Sequence, residues 1–130
     1  MFIALALVAT LMGSAEESAP LPPEIPADAV FYYPEEARKM RMRISYYPPK
    51  ASMAHADGSA VIDCQVQAGG TLSRCAVLEE TPPDMEFGKA TAMLFLKRAK
   101  VTPEEMRAQP AGGWWKKFKY IWVYKPLDER

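Results

Sequence analysis

The side chains able to carry out chemistry are few in this chain of 130 residues. It has two cysteines, Cys64 and Cys75, and a single histidine, His55. A zinc site built only from Cys and His needs more ligands than these three supply. The cysteines are too far apart for a Cys-x-x-Cys redox pair. His55 has Ser52 and Ser59 near it in sequence. Ser–His catalysis, however, requires an oriented base, which nearness in sequence does not provide. His55 therefore reads as a solvated surface residue. Glu79-Glu80 and Glu104-Glu105 read as solvated ends of elements, not as acid–base pairs. No Gly-rich, phosphate-cradling loop precedes a helix. The expectation is a protein with no catalytic residue, no metal and no cofactor.

What positions the two cysteines is a hairpin from Ala60 to Leu78. Ala60, Ile62, Cys64 and Val66 alternate with Asp63, Gln65 and Gln67, the period of a half-buried strand. Gly69-Gly70 supplies two residues that take positive φ without steric cost, so the chain reverses there. With those two as the loop, Cys64 falls opposite Cys75 and Ile62 opposite Val77, all four on one face. Opposed antiparallel residues have Cα atoms about 4.5 to 5.5 Å apart, within disulfide reach. A bulge in the loop shifts the register by one and makes the pair diagonal.

Composition fits one folded domain: 49% apolar residues, 25% charged and a formal net charge of zero. Zero charge gives no global field for nucleic acid or anionic lipid. Residues 1–15 carry no charged side chain, and Phe2–Met12 is apolar apart from Thr10. That run is short of the roughly 20 residues that span a bilayer. With Gly13-Ser14-Ala15 before Glu16 it reads as a signal peptide. The alternatives are a retained anchor or a gene start lying further upstream. Export agrees with a disulfide. Four of the twelve prolines fall in Pro20–Pro26, so 16–30 reads as a Pro-rich linker. Residues 31–45 read as a short helical lead-in near Pro34–Met42, its surface basic through Arg38, Lys39, Arg41 and Arg43. Tyr32-Tyr33-Pro34-x-x-Ala37 recurs as Tyr46-Tyr47-Pro48-x-x-Ala51, which we read as chance or a local duplication.

Past the hairpin, Glu79-Glu80 leaves the sheet. Thr81-Pro82-Pro83-Asp84 has a capping-box spacing and predicts a helix over Asp84–Arg98. Phe87, Ala90, Thr91 and Leu94 form its apolar face. Pro103 ends the segment and 104–113 reads as a polar loop. Trp114–Tyr124 is rich in aromatic and β-branched residues and reads as a strand. Its interleaved lysines suit an edge strand guarded against stray pairing better than a single-stranded nucleic-acid platform.

This order of elements resembles the C-terminal domain of TonB proteins. The pieces that carry the likeness are YYPPKA (Tyr46–Ala51), opened by Tyr47-Pro48, and DGSAVIDCQVQAGGTLSRCAVLEE (Asp57–Glu80). The Pro-Pro turn and FGKATAMLFLKRAKVTP (Phe87–Pro103) complete it. The cysteine-bearing hairpin is similar to a subset of such domains. The likeness covers about half of the chain and thins after Pro103.

The resemblance implies an α+β fold: a three-stranded antiparallel sheet, the Ala60–Gln67 strand in the middle, with one main helix on one face. The domain is expected over 46–125, with 126–130 a tail. Ile62, Val66, Val77, Phe87, Leu94 and Ile121 are its expected core. The resemblance also implies that the last strand offers its edge, through Trp115, Lys117, Lys119, Ile121 and Val123, to a segment of an outer-membrane TonB-dependent receptor or another envelope protein. That is strand addition, in TonB-linked transmembrane transport in the periplasm. If the gene start is right, so short an apolar run and so short an arm make the chain a detached binding module that does not transmit force. The alternative is a structural envelope protein that uses the same edge to form a homodimer or to hold a cell-wall component. Neither nucleic acid nor a small-molecule substrate is expected.

Overall fold

The structure, a computed structural model, describes residues 21–39, 46–109 and 111–126. The signal-peptide reading of 1–15, Arg41 and Arg43 of the lead-in, and the tail from residue 127 lie outside them. The described chain is α+β. Its elements run β1 (Phe31–Tyr32), α1 (Pro34–Lys39), α2 (Pro49–Met53), β2 (Gly58–Val66), β3 (Leu72–Thr81), α3 (Phe87–Arg98), α4 (Pro103–Ala108) and β4 (Trp114–Trp122). The sheet is antiparallel with strand order β1-β3-β2-β4.

β2 has β3 on one side and β4 on the other, the inner position expected for it. The sheet has four strands, not three. The added strand, β1, pairs Phe31 with Ala76 and Tyr32 with Cys75. Two residues are too few for alternation to announce a strand.

Cys64 lies opposite Cys75, with Cα atoms 4.1 Å apart, and the two form a disulfide. The loop differs from the two-residue turn expected. Val66 pairs with Leu72, and the Gln67 N–H donates to the Thr71 carbonyl. Gly70 takes φ +94° within this wider loop. A bulge at Ser73 then restores the register, because Gln65 pairs with Arg74. The two departures cancel before the cysteines are reached. A second bulge falls at Leu78, between the Ile62–Val77 and Val61–Glu79 pairs.

One face of the sheet packs on α3. Ile62, Cys64, Val66, Leu72 and Cys75 are buried there against Ala92, Met93 and Leu96. A second cluster joins Ala51, Ala60, Phe87, Ala90 and Trp122. Val77 and Leu94 are half-buried at the margins of these clusters. Ile121 is not in the core; it is 65% exposed. The register pairs it with Ser59, on the face opposite Ala60 and Ile62, so its neighbour Trp122 turns inward instead. The buried indole of Trp122 donates to Thr91 Oγ1 at 2.8 Å, and the Thr91 hydroxyl donates to the Phe87 carbonyl at 2.7 Å. A buried Trp N–H thus has its acceptor.

The main helix begins at Phe87, not Asp84. β3 continues through Thr81, so Glu79 and Glu80 belong to the sheet and Thr81 caps no helix. Asp84 and Glu86 have positive φ, outside helical geometry. The Gly88 N–H donates to Glu80 Oε1 at 2.8 Å, so a carboxylate from the preceding strand takes up a helix-terminal donor. Residues 104–113 are not all loop either. Pro103 starts a helix, where Pro is tolerated in the first turn. Thr102 caps it by accepting from the Glu105 N–H at 3.2 Å. The repeated Tyr-Tyr-Pro-x-x-Ala motif also has a structural meaning that the sequence reading withheld. Both copies lead into a short helix whose buried residue is the motif's alanine, Ala37 in α1 and Ala51 in α2.

Two measurements follow from this packing. A Cβ on Gly88 would lie 2.5 Å from Val77 Cγ1 and 2.7 Å from Glu80 Oε1. Overpacking costs about 1–3 kcal/mol, against a helix-propensity gain of about 1 kcal/mol. Gly88→Ala is therefore expected to lower the melting temperature, and an increase would contradict this account of the α3–β3 contact. Reducing the disulfide removes about 2 to 3 kcal/mol on the loop-entropy model, a fall on the order of 10 °C for a small domain. An unchanged melting temperature after complete reduction would show that the bond carries no stability.

Candidate functional site

The site is the outer edge of β4. Nine consecutive pairs, from Gly58–Trp122 to Val66–Trp114, join β4 to β2 without a register shift. No strand among the described residues pairs with its other side. Side chains hold β4 at intervals along its length. The Trp114 indole donates to the Gln109 carbonyl at 3.0 Å. Lys116 Nζ donates to Glu105 Oε2 at 2.7 Å and holds that carboxyl below its ordinary range. Just past the strand, the Tyr124 N–H donates to Asp57 Oδ1 at 2.7 Å. His55, expected to be solvated, is exposed but lies flat against Tyr124 at 4.7 Å between centroids.

The five residues expected at the edge do not form a uniform row. The register puts Trp115, Lys117, Lys119 and Ile121 on the face away from α3. Trp115 and Lys117 have partners there. Arg74 lies over the rings of both Trp115 and Phe31, at 5.1 Å and 5.0 Å. Lys117 Nζ is 3.6 Å from Glu24 Oε2. Lys119, Ile121 and Val123 are exposed, Val123 lying just beyond the strand. The accessible part of the edge is therefore its C-terminal half.

Tyr47 and Pro48 are not on that edge. Pro48 precedes the first residue of α2, in extended conformation. The Tyr47 hydroxyl donates to the Ala56 carbonyl. Its ring meets Phe87, Trp122 and Tyr124 edge-on. Burial, then Asp57 and Tyr124, raises its phenol above the ordinary value. The motif braces the end of β4 from behind.

The alternation of a half-buried strand leaves its polar side chains to solvent, yet Asp63 and Gln65 are 2% and 7% exposed. Ile25, in the Pro-rich stretch, is 4% exposed, and its neighbour Glu24 reaches Lys117. Residues of the stretch read as a linker thus pack on this face. Gln65 Oε1 accepts from Arg74 Nε at 2.9 Å, and Gln65 Nε2 donates to the Gly113 carbonyl at 3.2 Å. Asp63 Oδ1 is buried with no hydrogen-bond partner among the described residues. Burial raises the Asp63 carboxyl above its ordinary value; Lys117 opposes the rise and Glu24 adds to it. Glu24, Ile25, Phe31, Arg74 and Asp63 were not singled out from sequence. The one available signal was an aspartate inside a strand, a residue type depleted there.

Among the described residues, no helix is long and apolar enough to cross a membrane, and no group of three or more His, Cys, Asp or Glu is placed to hold a metal ion. Compared with protein-family models, curated proteins and solved structures, the chain matches none.

The raised Asp63 carboxyl gives a pH test with a definite sign. The folded state favours the protonated form. The group's contribution is therefore full below the ordinary value of 3.8 and is lost as pH rises through the higher folded value. At neutral pH the buried charge weakens the fold. Asp63→Asn is expected to raise the melting temperature at neutral pH, with the gain vanishing near pH 3 (about the lower end of carboxylate titration). A variant less stable than the parent at neutral pH would show that the Lys117 attraction outweighs burial.

Proposed function

We propose that this chain is a non-catalytic, exported binding domain of the TonB C-terminal kind. It adds an extended segment of an outer-membrane receptor to the edge of β4. The observation that carries this reading is that no strand among the described residues pairs with the outer side of β4, with Ile121 and Val123 exposed at its end. The motifs at Tyr47-Pro48 and in the hairpin support it by their likeness to that family.

In this reading the backbone of β4 supplies affinity, and alternate side chains select the occupant. Lys119 and Ile121 project from the same face. They favour a segment that places an acidic and an apolar side chain two residues apart. The core side of β4 rests on Trp122 and Phe118, so the edge is held rigid before the segment arrives, which limits the ordering cost of binding.

Fluorescence anisotropy with labelled N-terminal segments of TonB-dependent receptors tests the proposal. Successive amides of an edge strand point alternately inward and outward. One of Tyr120→Pro and Ile121→Pro therefore removes an outward amide and leaves the ladder to β2 intact. Saturable binding by the parent is expected, with a loss of about tenfold or more in whichever proline variant keeps the parent's melting temperature. Absence of saturable binding would overturn the receptor reading. If mass also rose with concentration, the same edge would instead serve a homodimer.

A further inference from the structure

We infer that the opposite margin of the sheet is a second docking groove, on β3, which takes a short extended peptide carrying lysine or arginine. β1 covers only Cys75 and Ala76 of the outer side of β3. β3 continues to Thr81, and among the described residues no strand pairs with Leu78–Thr81 on that side. A groove of about 510 Å³ opens at this step in the sheet. Val30, 66% exposed, stands at the end of β1, and Val77 and Leu78 give the groove an apolar wall. Glu79, Glu80 and Glu86 are among the residues that line it, and Lys89 is the one cation lining it among the described residues.

Among the described residues, three glutamates and one lysine line the groove, so its lining is net acidic. The field reaches Tyr32, whose phenol is raised by burial first and then by Glu36, Glu80 and Glu86. An unpaired strand edge offers backbone donors and acceptors, the adjacent valines and leucine offer apolar contact, and the carboxylates select positive charge. The uncovered run spans four residues and is bounded by Val30 at one end and the Pro82-Pro83 turn at the other. That space suits a flexible peptide. The straight edge of a second folded sheet would meet Val30. A basic peptide in this groove and an acidic-apolar segment at β4 would occupy different strands, so this inference does not rest on the receptor reading.

The test uses the whole chain and two labelled peptides, one alternating lysine and valine, the other glutamate and valine. Glu80 is left intact because it accepts from the Gly88 N–H. The variant is Glu79→Lys with Glu86→Lys, both side chains being exposed. The lysine peptide is expected to bind saturably and to shift the amide resonances of Leu78–Thr81. The double variant is expected to weaken it about tenfold, and the β4 proline variant to leave it unchanged. The glutamate peptide is expected not to bind there. No saturable binding, or binding unaffected by the double variant, overturns the proposal. So does binding that is lost only in the β4 variant, or a groove occupied by a second copy, seen as mass rising with concentration and falling on addition of the lysine peptide.

Discussion

β2 is paired along both of its sides, and the rest of the structure follows from that position. Ile62 to Val66 are all buried, so the strand needs cover on both faces as well as on both edges. A strand in that position is normally apolar throughout. β2 is not, since Asp63 and Gln65 point away from α3. The helical side is closed by α3 and the disulfide. The other side is closed by Arg74, Phe31, Trp115 and residues near Ile25, which together shield two polar side chains. Gln65 finds partners under this cover. Among the described residues the Asp63 Oδ1 atom finds none, although it is buried.

A formal charge of zero conceals an uneven surface. Lysines are interspersed with aromatic residues along β4, while glutamates gather where β3 outruns β1. Among the described residues, the only lysine of β4 with a short ion pair is Lys116, whose partner Glu105 comes from α4. Both of those side chains are partly exposed, so water and salt screen the pair and it does little for stability. Its position suggests a different consequence: it steers α4 against the start of β4.

The hairpin was legible because the alternation from Ile62 to Gln67 and a Gly-Gly pair are strong local signals. The bridge was legible because the wider loop and the Ser73 bulge compensate. The start of α3 was not legible. Its terminal donor is met by Glu80, a strand residue, and the capping-box spacing at Thr81–Asp84 offered a local solution that the longer strand preempted. Ile121 and Trp122 are both apolar, so composition could not tell which would face inward; the pairing with Ser59 and Gly58 decides it. β4 itself was readable as a strand. Its place at the margin of the sheet, and the partners of Trp115 and Lys117, depend on contacts distant in sequence. Among those contacts, Glu24 to Lys117 and Phe31 to Trp115 join the linker and the lead-in, as the sequence reads them, to the domain.

All three tryptophans of the chain, Trp114, Trp115 and Trp122, lie in β4. They occupy three different surroundings: one indole bonded to a backbone carbonyl, one ring beneath a guanidinium, and one buried against a threonine hydroxyl. The ultraviolet emission of this protein is consequently a built-in optical probe of a single strand. Its red component comes from the half-exposed start of that strand and its blue component from the buried end, so the two ends can be followed separately without attaching any label.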